Sequence, residues 1–164
     1  MKKYKWVIIF FNLLLLLGYF TYSIRAKEEI LGEGQLVLLE LAPVDPRSLM
    51  QGDYMNLRYA ISRDIDTETE KLSRRGYCVI KIDQHGVGRK VRFQQDSSPL
   101  NKGEYLIKYT SPNEWNINLG AESFFFQEGY AEKYERAKYG ALRIDKNGNS
   151  LLVGLYDQGL KEIK

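Results

Sequence analysis

Hydrophobic positions follow two different rules along this chain. From Trp6 to Ile24 the run WVIIFFNLLLLLGYFTYSI carries no charge over nineteen residues, close to the ~20 that take a helix across a bilayer core. Beyond it the spacing of apolar residues changes to two, the repeat of β-strands. QLVLLEL, Gln35 to Leu41, is almost continuously apolar and reads as a central strand. YMNLRYAI, Tyr54 to Ile61, alternates cleanly, putting Met55, Leu57, Tyr59 and Ile61 on one face and Tyr54, Asn56 and Arg58 on the other. Tyr77 to Ile82, Arg89 to Gln94, Glu104 to Tyr109 and Trp115 to Leu119 are further strands. ALRIDKNGNSLLVGLY sets Asn147-Gly148 between two apolar runs, a strong hairpin signal.

One segment breaks the alternation. Between Phe126 and Lys138, Tyr130, Ala131, Tyr134 and Ala137 recur at offsets of three and four, while Glu132 and Arg136 are spaced for an i,i+4 ion pair. The pattern predicts a short helix over residues 127–138. The expected fold is mainly β (α+β): an N-terminal transmembrane helix, then one antiparallel β domain carrying that helix. Residues 1–25 form the N-terminal tip and anchor, 26–34 a juxtamembrane linker, and 35–164 the domain.

PVDPRSLMQGD, Pro43 to Asp53, is the densest cluster of turn formers. Asp45 can cap a helix N-terminus, Pro46 suits the first helical position, and Gly52 suits a left-handed stop, so RSLMQ reads as one capped helical turn before a strand that begins at Asp53. Every unusual residue there has an architectural reason.

Charge settles the orientation expected of the apolar block. Lys2, Lys3 and Lys5 precede it, whereas Arg25 and Lys27 behind it are followed by Glu28 and Glu29. The excess of lysine before the span places the N-terminus in the cytoplasm and the remainder outside. A cleaved signal peptide is the rival reading, but Ile24-Arg25-Ala26 makes a poor small-residue cleavage site, and no cysteine follows for lipid attachment. Membrane lipid around residues 6–24 is thus an expected partner. Four of the 24 basic residues and none of the 21 acidic ones fall within residues 1–25, leaving 20 basic against 21 acidic, a net −1, for residues 26–164. Nucleic acid is not an expected partner of such a domain. Arg89, Lys90 and Arg92 cluster locally, on a strand whose Val91 and Phe93 are expected to face inward.

Cys78, the single cysteine, shares a strand face with Ile80 and Ile82, as a small core residue would. His85, the single histidine, sits in the turn DQHGVG. One histidine and one cysteine offer neither a usual transition-metal ligand set nor a convincing catalytic dyad, so no metal or cofactor is expected.

GDYMNLRY contains Gly52, Asp53, Tyr54, Leu57 and Tyr59 in the spacing Gly-Asp-Tyr-x-x-Leu-x-Tyr. With PVDPRSL before it, FFFQEGYAEKYERAKYGALRIDKNGNSLLVGLYD after it and the single anchor, the chain resembles the bacterial GDYXXLXY family of membrane-anchored proteins. That resemblance implies no reaction. It implies a small extracytoplasmic domain at the bacterial inner membrane, of a kind often encoded beside or fused to polytopic membrane proteins.

Two functions are therefore weighed. In the first the domain is a binding or assembly module for a polytopic membrane protein, presenting Tyr54, Arg58, Gln127, Glu128 and Tyr134; nine of the twelve tyrosines lie beyond residue 25, and tyrosine favours interfaces. In the second it is a membrane-anchored hydrolase using a carboxylate such as Glu128, set beside three phenylalanines, or Asp53. LMQGD invites comparison with signal-peptidase-like proteases, but Val44 stands where their serine would be.

Overall fold

The computed structural model describes residues 4–42, 50–51, 54–63, 65, 72–113, 116–127 and 129–164. Its first element is a single helix, α1 (Lys5–Glu33). Among the described residues its leucines, isoleucines and phenylalanines stay exposed, save Ile30, the one buried residue of the helix. The helix runs on through residues 26–33, the expected linker, and stops where Gly34 donates its N–H to the Ile30 carbonyl (3.0 Å) and turns extended, ψ 141°. A side chain at Gly34 would stand 3.2 Å from both Arg143 Cβ and the Ile144 carbonyl oxygen, and Arg143 Nη1 donates to the Gly34 carbonyl at 2.9 Å. Helix and domain are thereby joined at a tight corner.

Three antiparallel sheets follow. The first comprises β1 (Gln35–Glu40), β9 (Tyr139–Ile144) and β10 (Ser150–Tyr156) in the order β1-β9-β10; the second comprises β4 (Arg75–Ile82), β5 (Gly88–Gln94), β6 (Glu104–Asn113) and β7 (Asn116–Asn118) in the order β5-β4-β6-β7. A smaller sheet, order β2-β3-β8, is made by β2 (Met50–Gln51), β3 (Tyr54–Asn56) and β8 (Ser123–Phe125). The antiparallel architecture is as expected, and mainly β.

Alternation in the sequence becomes a core between the two larger sheets. Val37, Leu39, Leu142 and Ile144 of the first meet Cys78, Ile80, Ile107 and Tyr109 of the second, all buried. Cys78 is thus the core residue its spacing indicated. β1 is an edge strand rather than a central one. Its continuous apolar run has another cause: Leu38, on the opposite face, is buried with Val87 and Ala141 under Tyr139, Tyr156 and Leu160. Both faces of β1 are covered, so both carry aliphatic residues.

Three connections use one device. Asp83 Oδ1 accepts the N–H groups of His85 and Val87, Asp145 Oδ1 those of Asn147 and Asn149, and Asp157 Oδ1 those of Gly159 and Lys161, all between 2.8 and 3.0 Å. Each turn then needs a left-handed residue: Gly86 (φ 81°), Gly148 (φ 80°) and Leu160 (φ 59°). An aspartate that satisfies two turn amides leaves the tightest φ to the residue three places on.

Val91 and Phe93 part company. β4 and β5 shift register between Val79 and Ile80, with Val79 opposite Arg92 and Ile80 opposite Lys90. Val91 is the extra residue of this bulge and is exposed, against expectation, while Phe93 packs on the core and edge-on to Tyr109, centroids 5.4 Å apart. Arg92 is no merely solvated charge: Nη1 and Nη2 grip the two Glu104 oxygens at 2.8 and 2.9 Å. The Asn101 N–H and side-chain amide also donate to that carboxylate. These bonds, the Arg92 fork first, hold the Glu104 pKa down at about 2. A carboxylate depressed on folding stabilises above its ordinary pKa and ceases to do so as the pH falls through its folded value. Glu104→Gln is therefore expected to lower the thermal midpoint at pH 7, and the gap to the wild type should close as the pH falls from ~4.5 towards 2. An unchanging gap across that range would remove the ion pair from the account.

Candidate functional site

The motif segment is not one strand but a strand followed by a bend. β3 covers Tyr54–Asn56, pairing Met50 with Met55 and Gln51 with Tyr54 on one side, and Tyr54, Met55 and Asn56 with Phe125, Phe124 and Ser123 on the other. Met50 and Gln51 are thus strand residues and not the end of a helical turn. The Asp45 cap, the Gly52 stop and the strand start at Asp53 lie outside the described residues. After Asn56 the ladder stops, Tyr59 makes an isolated bridge with Leu41, and Ala60–Ser62 form a 3-10 turn. The burial alternation nevertheless persists: Met55, Leu57, Tyr59 and Ile61 are buried, and Asn56 and Arg58 exposed. Side-chain pattern reports burial, and it outlasts the regular β3 ladder, beyond which the backbone bonds singly to Glu122 and Ala42.

The two inward motif residues, Leu57 and Tyr59, which the alternation put on one face, have distinct jobs. Leu57 lies with Met55 and Leu155 in a cluster roofed by Phe124, Phe126 and Tyr134. Tyr59 is fully buried; its hydroxyl donates to the Ala121 carbonyl at 2.6 Å, and its ring covers Gly140, where an added Cβ would sit 2.9 Å from Cε1. Burial, and then the charge of Glu122, push its pKa far up, so it stays a neutral donor. Tyr54 is half-buried and packs its ring at a tilt against Phe125 (centroids 5.7 Å), itself 74% exposed.

The expected helix shrinks to one turn, α2 (Ala131–Tyr134), so Arg136 lies beyond it. The aromatic residues supply the reason: Tyr134 meets Phe124 and Phe126 at 5.0 and 5.5 Å between centroids, and those contacts fix the segment where a longer helix would have carried it away. Tyr134 is accordingly a packing residue of the motif cluster, half-buried. Gln127 is exposed; Glu128 and Asp53 lie outside the described residues. Tyr54 and Tyr134 belong to neighbouring aromatic groups, joined through the adjacent β8 residues Phe124 and Phe125.

Beside the motif strand is a crevice of about 460 Å³, walled by Asn56, Arg58, Ser62, Arg63, Asn116 and Asn118. Its far wall is fixed to the motif: Leu57 N–H donates to the Glu122 carbonyl at 2.6 Å, and the Leu119 N–H donates to the Glu122 carboxylate. Sequence reading missed this constellation, because Arg58 to Arg63 and Asn116 to Asn118 carry no recognisable spacing and meet only through the sheet topology. The polar–Ile117–polar alternation of NIN was the one available signal. Among the described residues, no group of three His, Cys, Asp or Glu is placed to hold a metal ion.

No curated protein and no solved structure matches this chain. The model of one protein family does, described as GDYXXLXY protein and matching residues 16–155, a span that runs from the apolar helix through the motif to the last strand. The chain therefore belongs to the GDYXXLXY protein family.

Proposed function

We propose that this protein is a single-pass anchored module of the bacterial inner membrane whose extracytoplasmic β domain binds a polytopic membrane protein. The observation that carries this reading is α1: a helix of 29 residues, long and apolar enough to cross a membrane, with none of its apolar window buried against the rest of the chain. Exposed leucine and phenylalanine on that scale need lipid or another apolar partner. At 1.5 Å per residue α1 is about 43 Å long, against ~30 Å of hydrocarbon, so Arg25 to Glu33 stands clear as a stiff stalk. The lysines before the span favour a cytoplasmic N-terminus.

Tyr54 with Phe125 is the surface best suited to a partner, since it offers exposed aromatic area. The hydrolase alternative rests on Glu128 and Asp53, and no described geometry supports it.

The full-length chain is expected to stay in the membrane pellet after alkaline carbonate washing, and a reporter active only outside the cytoplasm is expected to work when fused after Lys164. Release of the chain by carbonate would remove the anchor. Activity of a cytoplasmic reporter instead would reverse the orientation.

A further inference from the structure

Ser62, in the wall of the crevice beside the motif, carries a polar atom that none of the described residues bonds. Ser62 is 7% exposed, and its Oγ has no hydrogen-bond partner among the described residues. A buried hydroxyl left unsatisfied costs stability unless something else completes it. The crevice is lined as well by two arginines, Arg58 and Arg63, by three side-chain amides, Asn56, Asn116 and Asn118, and by one acid, Glu122. Arg58 and Arg63 are exposed, and among the described residues neither has an ion-pair partner; the acid in the wall, Glu122, accepts the Leu119 N–H through one of its two oxygens. The walls do not need to assemble on binding. Tyr59 Oη to the Ala121 carbonyl and Leu57 N–H to the Glu122 carbonyl already hold them.

We propose that this crevice binds the oxyanion of a small soluble ligand, a phosphate or carboxylate group, gripped by Arg58 and Arg63, with the Ser62 hydroxyl, buried in the crevice wall, turning about its Cα–Cβ bond to complete the set. Guanidinium forks match such oxygens in charge and in geometry, and a hydroxyl can donate to the oxygen they leave over. The site goes beyond the assembly reading: it shares Arg58 with the surface expected there and leaves out Tyr54 and Phe125.

Position in the fold selects a soluble source over a lipid headgroup. Tyr59 bridges Leu41, at the end of the β1 run that begins beside the stalk at Gln35. Six residues of strand separate the two ends, about 20 Å. The crevice thus lies at the end of the domain remote from α1. This choice of source rests on α1 holding the membrane, and the lipid arm below tests it separately.

The test uses the full-length protein in detergent micelles and in nanodiscs, in a zwitterionic buffer, with inorganic phosphate (phosphorus NMR line broadening) and acetate (saturation transfer) as probes. Saturable binding of at least one anion is expected in neutral-detergent micelles. Arg58→Gln with Arg63→Gln should weaken it more than about tenfold, and Ser62→Ala about three- to tenfold. Ser62→Ala should leave the thermal midpoint unchanged or higher, because it removes an unpartnered buried hydroxyl, whereas a structural serine would lower it. Absence of saturable binding by both anions, or binding unaffected by the three substitutions, would overturn the site. Binding seen only to nanodiscs containing anionic lipid would overturn the soluble source.

Discussion

Tyr59→Ala is expected to cost about 3–5 kcal/mol, the range of a fully buried aromatic truncated in a packed core. The ring is completely enclosed, it roofs Gly140, and its hydroxyl ties the Ala121 carbonyl to the motif. Tyr59→Phe should cost less, about 1–2 kcal/mol, because packing survives and one carbonyl loses its donor. The check is the thermal midpoint of the full-length protein followed by near-ultraviolet circular dichroism. A second substitution gives the packing argument its sharper form. Gly140→Ala should destabilise the wild type, since its Cβ would press on Tyr59 Cε1 at 2.9 Å, yet be close to neutral where Tyr59→Ala has vacated the space. Additive effects of the two changes would separate Tyr59 from Gly140.

Gly148→Val has the next largest effect expected, about 2–5 kcal/mol. Two terms combine: a β-branched residue at φ 80° is strained, and the new Cβ would meet Leu106 Cβ at 3.2 Å and Lys108 N and Tyr77 Cδ1 at 3.3 Å. The β9–β10 turn docks there, its Gly148 carbonyl accepting the Lys108 N–H at 2.7 Å. Gly86→Val isolates the first term, because Gly86 has the same φ and open space around it; about 1–3 kcal/mol is expected. Equal losses at both glycines, read from the same midpoints, would mean that docking adds nothing.

What the sequence made legible follows from how local each cause is. The Asn147-Gly148 hairpin and the inward placing of Cys78, Leu57 and Tyr59 depend on neighbours in the chain, and alternation reports them. The division of the motif into outward Tyr54 and Arg58 and inward Leu57 and Tyr59 was legible for the same reason. The Val91 bulge was not, because a bulge arises from register against β4 and leaves no mark in Arg89 to Gln94 itself. The 127–138 helix failed through tertiary override: the period was there, but Phe124 and Phe126 captured Tyr134 and left one helical turn. Strands β2 and β8 have only two and three residues, too few for a period to register. The Ser62 crevice was illegible in principle, since its walls come from segments more than fifty residues apart that the sheets bring together.

Mild-detergent co-purification from native membranes tests the central claim most directly: the full-length chain is compared with a Tyr54→Ala, Phe125→Ala variant, with circular dichroism establishing that both are folded. A polytopic membrane protein recovered with the wild type and lost with the folded variant is the result expected of an anchored binding module. Recovery of no polytopic protein, or equal recovery with both chains, would contradict it.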